Sequence, residues 1–126
     1  MSLRTPLSKV RGLGSAKDGT DHWWHQRVTA VANIPLVLIF TYVVISSIGK
    51  PHAEVAALLG SPLVVIALVL MIGSLTWHMR LGMQVIIEDY VHSEGRKIAC
   101  LLANTFFTAA IAVAGIFAVL KLGFAS

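Results

Sequence analysis

The chain has 126 residues, 56% of them hydrophobic and 13% charged, with a formal net charge of +4. A soluble domain carries about a quarter of its residues charged, so this composition excludes an ordinary water-soluble fold; the mean hydropathy of +0.79 agrees. The positive balance is confined to a tail and short loops, so it reads as a topology signal and not as a nucleic-acid footprint.

Residues 1–20, "MSLRTPLSKVRGLGSAKDGT", form a basic tail rich in Gly and Ser, expected to be irregular and to lie at the surface. It has no apolar run of the signal-peptide kind, and Asp18 and Asp21 interrupt the basic pattern of a transit peptide. "DHWWHQR", residues 21–27, is an amphipathic lead into the first apolar stretch, with Trp23 and Trp24 as interfacial anchors. His22 and His25 beside them read as interfacial too. A helix needs ~20 mainly apolar residues to cross a bilayer, and three stretches qualify, at about 28–49, 61–87 and 99–120. The expected fold is therefore all-α: residues 21–126 form one domain of three transmembrane helices. Pro35 falls inside the first span, where it can kink the helix, and Pro62 suits the first turn of the second. Cys100 is the single cysteine, too few for an internal disulfide or a thiolate metal site.

The second apolar pattern continues to residue 91. At 1.5 Å per residue it is ~46 Å long, against a hydrocarbon core of roughly 30 Å. Glu88 and Asp89 near its end favour a helix whose last turns leave the membrane. Arg and Lys are concentrated in the tail and at Arg96 and Lys97, whereas the first loop holds Lys50 against Glu54 and the C-terminus only Lys121. The positive-inside rule then puts the N-terminus and the 92–98 loop in the cytoplasm and the C-terminus outside, in the periplasm of a bacterium.

Within the second span, "SLTWHMRLGMQVIIEDY" carries ionisable groups where lipid would refuse them. Ser74 and Gly82 share a helical face with His78, and Gly73 is close by. Small residues on both sides leave a flat space beside the imidazole, which suits axial ligation of a macrocycle. The same pattern also suits a histidine that bonds two helices together. Neither of the other spans contains a histidine, so a bis-histidine haem would need its second ligand from another polypeptide. Arg80 projects from the opposite side of the helix, either snorkelling to headgroups or paired inside an assembly, for instance with a haem propionate. Asp89 returns to the His78 face and Tyr90 turns away from it. Tyr90 reads as an aromatic-belt residue or as a hydrogen-bond donor to a ligand, and Asp89 as a solvated helix end or a proton carrier. Arg27, at the same membrane edge, has three candidate partners: a propionate, Asp89 or a lipid phosphate.

The run His78-x-x-x-Gly82-Met83-x-x-x-x-x-Asp89-Tyr90 in a three-span chain, preceded by "HQRVTAV", resembles the hydrophobic membrane anchor subunits of succinate dehydrogenase, the small D-type subunits of respiratory complex II. The resemblance implies that His78 is one axial ligand to the iron of a haem b, with the cytochrome b anchor subunit giving the other. It implies that Tyr90 hydrogen-bonds a carbonyl of ubiquinone and that Asp89 links that site to bulk protons. FAD and the iron–sulfur clusters then belong to the flavoprotein and iron–sulfur subunits, and this chain alone holds no complete active site. Electrons would pass from the iron–sulfur subunit to quinone in the respiratory chain and tricarboxylic acid cycle. Two other readings stay open: the anchor of a quinol:fumarate reductase, and a non-catalytic assembly protein whose His78 only joins helices.

Overall fold

The computed structural model describes residues 5–12, 14 and 19–124, and the elements are all helical: α1 (Pro6–Val10), α2 (Thr20–Ser47), α3 (His52–Gly60), α4 (Pro62–Tyr90) and α5 (Glu94–Phe124). α2, α4 and α5, of 28, 29 and 31 residues, are each long and apolar enough to cross a membrane. They match the three stretches expected from composition to within two residues at Ile48, Gly49 and Ser61, and extend past them at the charged ends. α2 begins at Thr20, so "DHWWHQR" forms its first turns. Gly19, with φ of +97°, sets the chain direction before it. α2 runs through Pro35. A membrane helix tolerates the missing N–H where neighbouring groups make up the loss. α4 starts with Pro62 in its first turn and ends at Tyr90, where Val91 turns extended.

Two short helices depart from the sequence expectation. The tail is not wholly irregular: Thr5 caps α1 by accepting from the Ser8 N–H at 3.2 Å, and Pro6 occupies the first turn. Arg4, Lys17 and Asp18 lie outside the described residues. The connection between α2 and α4 also coils, into α3. Pro51 fixes its start, and an Ala- and Leu-rich run carries it.

The three long helices run antiparallel in sequence. Asn33, Thr29 and Gln26 of α2 meet Ser74, His78 and Gly82 of α4 in descending and ascending order. On the other flank, Val65, Ile72 and Arg80 of α4 meet Gly123, Gly115 and Asn104 of α5. Among the described residues α2 and α5 do not pack on each other, so α4 is the middle of a three-helix layer. α3 folds across the end where α2 finishes, touching all three. The core is small: Leu68, Met71 and Val119, with Leu36, Leu59, Val64, Val65, Val69 and Ile72 packed against them. It lies toward the α3 end, which leaves the opposite half of the α2–α4 contact to polar side chains.

Candidate functional site

The polar half of that contact is a ladder. Ser74 Oγ donates to Asn33 Oδ1 at 2.6 Å. One turn further along α4, His78 Nδ1 lies 3.0 Å from Thr29 Oγ1. One turn beyond, Gly82 faces Gln26, and a Cβ placed at Gly82 would sit 3.6 Å from Gln26 Nε2. Ser74 and Gly82 thus let α2 come close, as small residues do between membrane helices. The flat space expected on that side of the imidazole is filled by α2. Space is open at Gly73, where an added Cβ would meet nothing within 4 Å.

The ring state of His78 follows from proton bookkeeping on Thr29. Its hydroxyl has one proton, and its oxygen is 2.8 Å from the His25 carbonyl and 3.2 Å from that of Gln26. A proton given to those carbonyls leaves the oxygen as acceptor toward His78. With the Thr29 proton on either carbonyl, the ring proton sits on Nδ1 and the lone pair on Nε2. His78 is half-buried. Among the described residues, the buried polar atoms that lack a partner are His22 Nε2 and Gln26 Oε1. His78 Nε2 is not one of them, and among the described residues it has no hydrogen-bond partner, so it reaches the chain's surface. A neutral imidazole with one nitrogen anchored and the other presented outward is the arrangement of a metal ligand.

Asp89 and Tyr90 occupy the last turn of α4 and are exposed, Tyr90 to 78%. The Tyr90 carbonyl accepts from His92 Nδ1–H at 3.1 Å. The structure does not bring this pair to His78, since twelve residues of helix put Tyr90 ~18 Å along the axis. The two arginines are also apart from it. Arg27 is exposed on the outer flank of α2, its guanidinium 5.8 Å from the Trp23 ring centre, beside an open groove with Trp24, Val28, Val31 and Ala32. Arg80 lies 5.3 Å from the Trp77 ring centre and lines a crevice of about 300 Å³ between α4 and α5 with Thr105 and Thr108. That is the flank of α4 away from α2, as the helical period requires.

His25 is exposed and sets its ring edge against Trp77, with centroids 6.2 Å apart, as an interfacial residue would. His22 is different. It shares the face of Gln26, Thr29 and Asn33, and its Nε2 is buried without a partner. Thr29, Asn33 and Gln26 were not singled out from the sequence. Their signal is the spacing 22, 26, 29, 33, a polar stripe at helical period inside an otherwise apolar span. No cluster of three or more His, Cys, Asp or Glu able to hold a metal ion occurs among the described residues. Axial ligation of a haem iron asks only one imidazole of a chain.

Three antiparallel, lipid-length helices with a polar ladder between two of them define a multi-pass membrane protein of the anchor class. The family model for the succinate dehydrogenase/fumarate reductase transmembrane subunit matches residues 1–112. The chain is 34% identical over 125 residues to the succinate dehydrogenase hydrophobic membrane anchor subunit of Paracoccus denitrificans, covering 98% of this chain and 95% of that one. It is 32% identical over 124 residues to the protein of the same name from Rickettsia bellii, covering 96% and 97%. It is 35% identical over 92 residues to the succinate dehydrogenase membrane anchor subunit of Reclinomonas americana, covering 68% and 73%. No solved structure matches significantly. The chain belongs to the succinate dehydrogenase/fumarate reductase transmembrane subunit family, among the hydrophobic membrane anchors of succinate dehydrogenase.

Proposed function

We propose that this anchor subunit ligates a haem b through His78 Nε2 and forms part of a ubiquinone-reduction site with Tyr90 and Asp89. A cytochrome b anchor subunit would supply the iron's other protein ligand, and the flavoprotein and iron–sulfur subunits would dock at the end of the layer where Tyr90 lies. In this reading that end faces the cytoplasm of a bacterium, and α3 and the C-terminus face the periplasm. The observation that carries the haem assignment is the outward, unpartnered Nε2 on a ring held at Nδ1 by Thr29. The donor chemistry fits, because a neutral imidazole with its second nitrogen hydrogen-bonded is the form that binds iron. When bound, the haem accepts and releases single electrons.

The remaining work falls to this chain's own side chains. Quinone reduction takes two electrons and two protons. The Tyr90 hydroxyl, exposed at the end of α4, can donate to a quinone carbonyl and fix its position. The Asp89 carboxyl beside it, also exposed, can take a proton from water and release it inward. Arg27 suits a lipid phosphate, and Arg80 stands on the flank of α4 away from Thr29.

Tyr90→Phe tests the quinone site. It keeps the ring and removes one hydrogen bond worth ~0.5–1.5 kcal/mol, so quinone reduction should fall roughly 2- to 12-fold. Electron transfer from succinate to an artificial acceptor served by the soluble subunits should be unchanged. A normal quinone rate with normal inhibitor sensitivity would make Tyr90 an interfacial anchor. For the haem, His78→Leu should abolish the b-type signal in the reduced-minus-oxidised spectrum of the assembled complex. Full haem content with an unaltered spectrum would remove His78 as the ligand.

A further inference from the structure

Thr29 does more than join α2 to α4. Its oxygen lies 3.0 Å from His78 Nδ1, and helix carbonyls stand 2.8 and 3.2 Å from that oxygen to take its proton. The hydroxyl is thereby oriented with a lone pair toward the imidazole before any ligand arrives. Helix geometry supplies this orientation. A Thr that bonds the carbonyl four residues back has a fixed χ1, and α2 is brought within reach because Ser74 and Gly82 stand on either side of His78.

We infer that Thr29 is the positioning residue of the His78 site: it fixes the Nδ1–H tautomer, sets the ring plane and strengthens Nε2 as a donor. This rests on the reading of His78 as a haem ligand and adds to it a residue from a different helix. A hydrogen bond accepted from Nδ1–H pushes electron density to Nε2 and favours the ferric over the ferrous state. Loss of the acceptor should therefore raise the haem midpoint potential. The bond is made in both oxidation states, so only the part of its ~0.5–1.5 kcal/mol that differs between them moves the potential, and the ferric-to-ferrous ratio at a fixed solution potential should fall by less than roughly 12-fold.

The experiment is a redox titration of the haem in the complete complex carrying Thr29→Val, which keeps the shape and removes the acceptor, beside Thr29→Ser, which keeps the hydroxyl. The expected result is a raised potential in the Val variant and a near-normal one in the Ser variant, with succinate oxidation by an artificial acceptor unchanged in both. Haem lost from the Val variant and regained with Ser, in complexes that assemble equally, supports the same role. If Thr29→Val does not assemble, Thr29→Ala makes the same comparison. A His78-dependent haem whose potential is the same in wild type, Val and Ser overturns the inference and leaves the ligand assignment standing. A wild-type complex whose haem does not depend on His78 removes both.

Discussion

Asn33 and Ser74 show how little an individual contact needs to contribute in this chain to matter for register. Their 2.6 Å bond lies one turn from the Thr29–His78 contact, so it holds the same two helices at the same relative height. Side-chain hydrogen bonds between membrane helices average about 0.6 kcal/mol and reach about 1.7. A double-mutant cycle with Asn33→Leu and Ser74→Ala, read by thermal inactivation of the complex, should give a coupling in that range. A coupling of zero would mean that the pair does not form in the membrane. At this scale the sequence was partly legible. His78 stood out because a histidine deep in an apolar run has to be explained. Thr29 did not, because threonine is ordinary in membrane helices and its partner is 49 residues away. The burial of His22 Nε2 was hidden for a related reason. Its tryptophan neighbours mark the interface, but only the helical period carries it round to the buried side of α2. Asp89 is exposed at the same end of the molecule, so Asp89→Asn should slow quinone reduction without affecting haem content. The defect should deepen as pH rises and bulk protons become scarce. A defect that is the same at every pH would argue for a structural carboxylate.

The helices themselves were legible wherever twenty apolar residues ran together, because the bilayer imposes that length. The extension of α4 was legible as well, because Glu88 and Asp89 mark turns that leave the membrane, whereas α2 keeps its helical hydrogen bonding through "DHWWHQR", where hydropathy alone ends the span. Helix α3 was missed because the ten residues between Pro51 and Pro62 look like a loop. Glycine decides how α4 and α5 meet. A Cβ at Gly115 would lie 3.3 Å from both Ile72 Cδ1 and Cγ2, so alanine fits only if Ile72 gives way slightly. Gly115→Leu cannot be absorbed in that way, and overpacking of this kind costs about 1–3 kcal/mol. It should lower the thermal stability of the complex, whereas Gly73→Ala, with open space around it in this chain, should be silent unless another subunit packs there. Loss of assembly on Gly73→Ala would map a partner contact. A Gly115→Leu complex as stable as wild type would show that the α4–α5 spacing adjusts more freely than these contacts allow.

As a whole, the chain is a single layer of three helices, and a layer cannot bury its own faces. Among the described residues six hydrophobic side chains are buried, which is a small core for helices of this length and leaves the two broad faces to lipid and partner subunits. This is why the proposed haem site is only half present in this chain: it offers the imidazole of His78, and the space in front of Nε2 belongs to whatever covers the layer. The antiparallel order also fixes which groups share an end. Thr20, Tyr90 and Glu94 lie at one end with Arg96 and Lys97, and Ser47, α3 and Lys121 at the other. The positive-inside rule then orients the entire layer, because a cytoplasmic loop carrying Arg and Lys resists translocation. The end with Arg27, Arg96 and Lys97 should face the cytoplasm, against Lys50 and Lys121 alone at the other. Glu88, Asp89 and Glu94 do not reverse this, since acidic residues contribute little to orientation. In a bacterial host, a reporter that is active only in the periplasm should be active when fused at residue 126 and silent when fused within 92–98. A reporter active only in the cytoplasm should give the complementary pattern. The reverse result would put Tyr90 and Asp89 on the periplasmic side, out of reach of a soluble electron donor in the cytoplasm, and the quinone-site assignment would fall with the topology.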